Sequence, residues 1–318
     1  MPVGEPSEEE VLLRVLAVGL CGSDAHWFRE GAIGDAVLGD GLVLGHEFSA
    51  VIESGPRTGQ RVAVDPAIPC LECEQCVAGR PNLCLNLRFA GHGIDGALRR
   101  HMVWPARCLV PIPDHVPDEQ GAMLEPLGVA LHAIDLAGEV QGASVGVIGC
   151  GPIGLLLIAA LHHLGLGRIV VTDPLAHRIE AAISLGATRA IVIDGAEDDR
   201  SFVGEMGGGL DVVFETAGSD HALHSALTAA RPGGRAVLIG IPDGDRTSYV
   251  ASLARRKELT LAVCRRMLPG DLVRASAMAG SGLSDLESLV SHRFPMSEAG
   301  DAFRALIGQV GLKVMIFP

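Results

Sequence analysis

Aromatic side chains make up only 3% of this 318-residue chain, and a single tyrosine is present. The core must therefore be packed from Val, Leu, Ile and Ala. Charge is also sparse, at 20% of residues, and no block of lysine and arginine occurs. With 25 basic against 38 acidic residues the net charge is −13, which argues against nucleic acid as a partner. No apolar run has the length and composition of a membrane helix. The most apolar window, Val145 to Leu161, holds four glycines and a proline and reads as a buried strand, turn and helix, so no membrane partner is expected. The first residues, MPVGEPSEEE, are acidic and do not read as a signal peptide.

Glycine is abundant, with 41 residues, and mean hydropathy is +0.34. Together these predict buried parallel strands joined by tight turns, in a chain long enough for two domains. Up to about residue 125 the pattern is short strands and irregular loops, with strands at Val11 to Val18 and Arg61 to Val64. From about residue 140 strands and helices alternate. Strands are expected at Ser144–Ile148, Arg168–Thr172, Ala190–Ile193, Asp211–Glu215 and Arg235–Ile239. Helices are expected at Ile153–Leu164, Ile179–Leu185 and Ala222–Ala230. Such alternation predicts an α/β fold with a doubly wound parallel sheet. The domain boundaries expected are 1–125 with 265–318 returning to it, and 126–264 for the parallel-sheet domain.

Cys21-Gly22-Ser23-Asp24-Ala25-His26 and Gly45-His46-Glu47 supply a thiolate, an imidazole and a carboxylate. Three such donors suit a catalytic Zn²⁺ whose fourth position stays open for water or substrate. Such an ion, balanced by Cys21 and Glu47, is formally neutral and still acidifies a bound alcohol. Ser23, Asp24 and His26 lie beside the donors as groups able to orient ligands or relay protons. Two plainer readings stand beside these: Asp24 as the N-cap of a helix starting at Ala25, and His26 as a packed or surface residue.

Cys70, Cys73, Cys76 and Cys84 follow the spacing C-x2-C-x2-C-x7-C. Four thiolates in one loop close a tetrahedron around a structural zinc; two disulfides or four separate buried thiols are the alternatives. Clustered metal-spaced cysteines favour a reducing, cytoplasmic setting over a disulfide framework. Cys108, Cys150 and Cys264 read as small core residues.

Gly149-Cys150-Gly151-Pro152-Ile153-Gly154 is a G-x-G-x-x-G motif after a predicted strand and opening a predicted helix. That context suits a dinucleotide pyrophosphate on the backbone and helix N-terminus. Asp173, closing the next strand, is placed to accept both ribose hydroxyls and to repel a 2′-phosphate, which favours NAD over NADP. Gly240, after a later strand, is placed near the nicotinamide half.

These elements together resemble the zinc-dependent medium-chain dehydrogenases over nearly the whole chain, and within them the sorbitol (polyol) dehydrogenase branch. The residues that carry the likeness include Gly31-Ala32-Ile33-Gly34-Asp35, Glu125-Pro126-Leu127, Ser291-His292-Arg293-Phe294-Pro295 and Gly311-Leu312-Lys313-Val314-Met315, besides the metal and glycine motifs. The resemblance implies a GroES-like β-rich catalytic domain joined to a Rossmann NAD-binding domain. It implies Cys21, His46 and Glu47 as catalytic zinc ligands, with water, substrate or Glu125 in the fourth place. Asp24 would orient His46, Ser23 would contact the alcohol proton, and His26 would pass it on. Arg178 and Arg265 would contact the cofactor. Trp27, Glu125, Arg265 and Arg266 would line the substrate site.

The chain also departs from that pattern. The family begins earlier, with a further pair of strands. Trp27 stands where the sorbitol enzymes tend to have tyrosine, and Cys264-Arg265-Arg266 replaces Phe-Arg-Tyr. Two phenol hydroxyls are lost and a positive charge is gained. The activity expected is oxidation of a secondary hydroxyl of a polyol by a zinc- and NAD-dependent enzyme. An aldonate or amino alcohol substrate, and a non-catalytic zinc- and NAD-binding relative, are its rivals. A homodimer or homotetramer acting on a small-molecule alcohol is expected.

Overall fold

Val11, Leu13, Val15 and Ala17 alternate inward along β1 (Glu10–Gly19), the two-residue period of a strand with one face on a core. The computed structural model describes residues 4–33, 36–39, 41–193, 208–283 and 286–318, so Gly34 and Asp35 of the expected motif lie outside them. After β1 come α1 (Gly22–Glu30), β2 (Glu47–Ile52), β3 (Arg61–Val64), β4 (His101–Pro105) and β5 (Leu109–Pro111). β1 pairs antiparallel with β2 and β4, and β3 joins β2 to β5. Their inner faces meet in an aliphatic core with one aromatic pair, Phe48 edge-on to Trp104 at 6.4 Å.

The chain divides into two compact units, Met1–Gly128 with Arg266–Pro318, and Val129–Arg265. The helix α2 (Leu124–Ala137) carries the chain from the first into the second.

In the second unit β6 (Val145–Ile148), β7 (Ile169–Asp173), β8 (Arg189–Val192), β9 (Leu210–Glu215), β10 (Ala230–Leu238) and β11 (Thr260–Val263) form one parallel sheet. Its order is β8-β7-β6-β9-β10-β11. The chain reverses direction across the sheet between β6 and β9, the place where doubly wound folds open a crevice at the strand C-termini. The helices α3 (Pro152–His163), α4 (Ala176–Ser184) and α5 (Asp220–Ala229) connect these strands. Ser219 caps α5 by accepting the Ala222 N–H at 3.1 Å.

Several boundaries shift from the sequence expectation by one to three residues, the two units dividing after Gly128 and Arg265, and one shifts further. Ala230 ends no helix; it starts β10, which was expected only from Arg235. Its pairing with β9 jumps from Ala230 to Arg235, so Arg231-Pro232-Gly233-Gly234 bulge out of register. Proline and glycine hide such a strand from any alternation pattern.

The chain then returns to the first unit through α6 (Pro269–Gly280), β12 (Val290–Pro295), α7 (Ala299–Ile307) and β13 (Lys313–Phe317). β13 lies antiparallel to β1 and parallel to β12, which brings the last strand beside the first. Among the described residues no helix is long and apolar enough to cross a membrane.

Candidate active site

α1 starts directly after Cys21, which serves as its N-cap with an extended backbone. Asp24, in the first turn, reaches back so that its Oδ2 accepts the Cys21 N–H at 3.0 Å. The helix therefore begins at Gly22 and not at Ala25, and Asp24 braces the turn from within instead of capping it. The other oxygen, Oδ1, faces His46 Nδ1 at 3.7 Å; it is buried and has no hydrogen-bond partner among the described residues. One carboxylate thus serves both the helix start and the imidazole.

His46 precedes β2 and Glu47 opens it, and both are buried. Ligand atoms of Cys21, His46 and Glu47 all lie within 4.8 Å of one another. Ser23 Oγ sits 3.5 Å from His46 Nε2. Removal from water pushes the Cys21 thiol up to about 12, with Glu47 and Asp24 adding to the rise and Lys313 opposing it. A sulfur hemmed in by carboxylates ionises readily only when a cation joins them. The donor set, its spacing and the unbonded Asp24 oxygen beside His46 therefore fit a zinc ion.

Glu125, in the first turn of α2, is buried close enough to feel His46 and Glu47, but it is outside the three-donor group. Burial pushes its carboxyl up to about 8, His46 pulls it down, and Glu47 and Cys21 push it further up. His26 Nδ1 faces Glu30 Oε1 at 3.4 Å on its own helix. Trp27 is buried edge-on to His92, with ring centres 5.5 Å apart. Arg266 holds its guanidinium carbon 4.4 Å from the centre of the Phe89 ring.

Sequence reasoning missed the residue that completes the site. Lys313, at the start of β13, is buried, and its ammonium donates to Glu47 Oε2 and to the Leu20 carbonyl. The signal was present: a lone lysine heading the apolar run Val314-Met315-Ile316-Phe317 must have a buried partner.

Sulfur atoms of Cys70, Cys73, Cys76 and Cys84 also gather within 4.8 Å. Cys84 lies 3.4 Å from Cys70 and 3.9 Å from Cys73, close to the about 3.8 Å separation of thiolates around one tetrahedral zinc. All four are free thiols, so no disulfide is formed. Backbone N–H groups of Cys70 and Cys73 point at Cys84 and Cys70 sulfurs at 3.2 and 3.4 Å, an arrangement that favours thiolates. Cys73, bonded first by the Leu85 N–H, is lowered to about 6. Of the remaining three, Cys108 and Cys150 are buried, as expected of core residues, whereas Cys264 is only half-buried.

In the second unit Gly149 follows β6 with φ +96°, and a Cβ there would lie 2.9 Å from Thr216 Oγ1. A Cβ at Gly154 would meet the Gly149 carbonyl at 2.1 Å, so α3 packs directly on the turn. Gly151 caps α3 and faces open space, with Ile153 half-buried in the first turn. Asp173 ends β7 and accepts the Cys150 N–H at 2.7 Å and the Leu175 N–H at 2.8 Å. Arg178 Nη1 stands 3.8 Å from that carboxylate, and its Nε is buried with no hydrogen-bond partner among the described residues. Open room at Gly151, a helix N-terminus and an unmatched arginine donor fit a dinucleotide phosphate and ribose.

Gly240 meets protein backbone: a Cβ there would lie 2.1 Å from the Gly218 nitrogen. Glu215, also missed, braces that crossing by accepting the Ala217 and Gly218 N–H groups, both at 2.7 Å. A carboxylate ending the apolar strand Val212-Val213-Phe214 was its signal. Arg265, the last residue of this unit, is exposed.

Residues 7–114 match the model of the alcohol dehydrogenase GroES-like domain, and residues 152–279 that of the zinc-binding dehydrogenase family. Sorbitol dehydrogenase of Bacillus subtilis (strain 168) is 34% identical over 330 residues, spanning 100% of this chain and 93% of its own. The chain belongs to the zinc-dependent medium-chain alcohol dehydrogenases. Within that family two solved structures share its fold over nearly their full lengths. A zinc-binding dehydrogenase of Sinorhizobium meliloti 1021 bound to NADP superimposes with a TM-score of 0.90 at 29% identity, covering 100% of this chain and 94% of that one. L-idonate 5-dehydrogenase of Escherichia coli K-12 gives 0.89 at 28%, covering 98% and 91%.

Proposed function

We propose that this chain oxidises a secondary hydroxyl of a polyol to a ketone, with zinc and NAD as cofactors. The observation that carries this reading is the Cys21–His46–Glu47 set, three different donors within 4.8 Å, in a chain 34% identical to a sorbitol dehydrogenase. Bound there, zinc supplies Lewis acidity toward the alcohol, and NAD⁺ supplies the hydride acceptor.

The residues divide the remaining work. Cys21, His46 and Glu47 hold the ion, and Lys313 fixes Glu47. Asp24 sets the tautomer of His46 by facing Nδ1, which leaves Nε2 for the metal. Glu125 stands beside the set as an exchangeable fourth donor. Ser23 Oγ would accept the alcohol proton while giving up its own hydroxyl proton, which His26 would pass toward solvent. Gly149, Gly151, Ile153 and Gly154 cradle the pyrophosphate. Asp173 and Arg178 hold the adenosine ribose, and the carboxylate selects NAD over NADP. Arg265 serves the cofactor, Gly240 makes room for the backbone at Gly218, and Trp27, Glu125 and Arg266 stand toward the substrate. Cys70, Cys73, Cys76 and Cys84 hold the structural zinc.

Eight free thiols, four of them gathered in one lobe, support a reducing, cytoplasmic setting. The family likeness supports a homodimer or homotetramer, which light scattering of the purified protein would read directly.

The deciding experiment combines metal analysis with NADH absorbance on sorbitol and xylitol. Two zinc ions per chain and NADH from at least one polyol are expected, with Cys21→Ser lowering the rate by at least about 10²-fold. A fully zinc-loaded protein that forms no NADH from any secondary alcohol would overturn the assignment.

A further inference from the structure

We infer that Asp65 determines specificity: its carboxylate accepts a hydrogen bond from a second hydroxyl of the substrate, besides the one oxidised. This rests on the dehydrogenase reading above and adds a residue to it.

Asp65 follows β3, and its backbone is held from two sides. Its N–H donates to the Cys108 carbonyl at 2.8 Å, and its own carbonyl accepts the Trp104 indole N–H at 3.0 Å. Just beyond it, Ala67–Ile68 pairs antiparallel with Arg88–Ala90, which sets Ala67 opposite Phe89. The Ala90 N–H donates to the Pro66 carbonyl at 3.0 Å and closes the pair. The Phe89 ring packs on the imidazole of His46, with centres 5.4 Å apart. Asp65 is thereby fixed beside the strand that carries an aromatic neighbour of a zinc donor. Charge places it there a second time, since Asp65 pushes the Glu125 carboxyl up, as Glu47 and Cys21 also do.

The carboxylate has capacity to spare. It is only 6% exposed, and one oxygen accepts the Ala67 N–H at 2.9 Å. The other accepts no hydrogen bond among the described residues, and Arg266 acts on the group through charge. A carboxylate oxygen so nearly buried and left without a protein donor is suited to a donor brought by a ligand. A hydroxyl can give that proton, whereas an ionised carboxylate or phosphate has none to give and would be repelled. The reacting hydroxyl is committed to the Cys21–His46–Glu47 site. The donor left over is therefore a second hydroxyl, which a polyol has and a simple secondary alcohol lacks.

The test measures NADH formation at pH 8, where a carboxyl raised by burial to about 6 is ionised. Two substrate pairs differ only in extra hydroxyls: xylitol with 2-pentanol, and 2,3-butanediol with 2-butanol. Where a mono-alcohol turns over too slowly to follow, its inhibition constant against xylitol replaces its kcat/KM. In the zinc-loaded wild type the hydroxyl-rich member of at least one pair is expected to lead by about 10-fold or more. Asp65→Asn keeps an oxygen for the Ala67 N–H but loses the charge, and that ratio should fall about 10- to 100-fold. Asp65→Glu, which keeps the charge but displaces it, should lower the ratio in the same direction and carries the test if Asp65→Asn loses zinc or fails to fold. The 2,3-butanediol pair shows whether the hydroxyl read is the adjacent one. No wild-type advantage in either pair, or an equal loss on both members of each pair, overturns the inference while leaving the dehydrogenase intact. No NADH from any polyol or alcohol removes the dehydrogenase reading, and the inference falls with it.

Discussion

Lys313 and Glu47 form a buried ion pair between β13 and β2, with Leu20 supplying a second acceptor to the ammonium at 2.9 Å. Burial pulls the lysine down, but Glu47 and Cys21 raise it above its ordinary value, so it stays charged. The pair lies over Gly19, where a Cβ would meet Glu47 Oε2 at 2.6 Å. Lys313→Met leaves Glu47 without its cation and should destabilise the zinc-free protein by about 3–5 kcal/mol. Zinc offers Glu47 a replacement cation, so the loss in Tm should be smaller in the zinc-loaded than in the chelated protein. Paired melting scans check this; equal losses in both states would show that Lys313 does not compensate the metal site.

The four-thiol lobe predicts a different signature. Its sulfurs are held by short loops and backbone N–H bonds, and none is near the Cys21 set in sequence. Cys84→Ser should therefore lower zinc from two ions per chain to one and lower Tm, because metal binding here is folding energy. Cobalt in the remaining Cys21–His46–Glu47 site should keep its visible spectrum. Retention of both zinc ions in the variant would disprove a closed tetrahedron of these four cysteines.

Much of this was visible in the sequence because it is local. The β6 strand, the glycine turn and α3 follow one another within a single stretch, where Gly149 and Gly154 each have a steric reason. The four cysteines lie within one loop for the same reason. Lys313 was not visible as a site residue, because its partner Glu47 lies 266 residues away and only the return of the chain to β1 joins them. The start of β10 was hidden by Pro232, Gly233 and Gly234, whose bulge breaks the two-residue period. Asp24 was half legible: its composition announced a cap or an orienting carboxylate, and only three dimensions show one oxygen doing each.

Asp173 should decide the choice of nicotinamide cofactor. Its carboxylate closes β7 with Arg178 3.8 Å away, where ribose hydroxyls bind in this fold. Asp173→Ser removes an acceptor of two hydrogen bonds and a charge that repels a 2′-phosphate. The KM for NAD should rise about 10- to 100-fold while use of NADP improves. Steady-state rates with both cofactors measure the change. An NADP-bound relative with the same fold makes the comparison pointed, since unchanged preference would place selection elsewhere.

Asp65 gives a pH dependence whose sign can be stated. Burial raises its carboxyl to about 6 from 3.8, against the pull of the Ala67 N–H and Arg266. Between those two values the folded chain binds more protons at Asp65 than the unfolded chain. Stability from this group is therefore full below pH 3.8 and is lost as pH rises to about 6. The whole loss amounts to about 3 kcal/mol. Asp65→Asn keeps an oxygen to accept the Ala67 N–H but cannot ionise, so its stability relative to wild type should climb across that window and level off above it. Denaturation at a series of pH values measures the difference, in which shared effects of metal and other groups largely cancel. A difference that stays flat from pH 3.8 to 6 would mean that Asp65 is compensated by its neighbours in the folded chain.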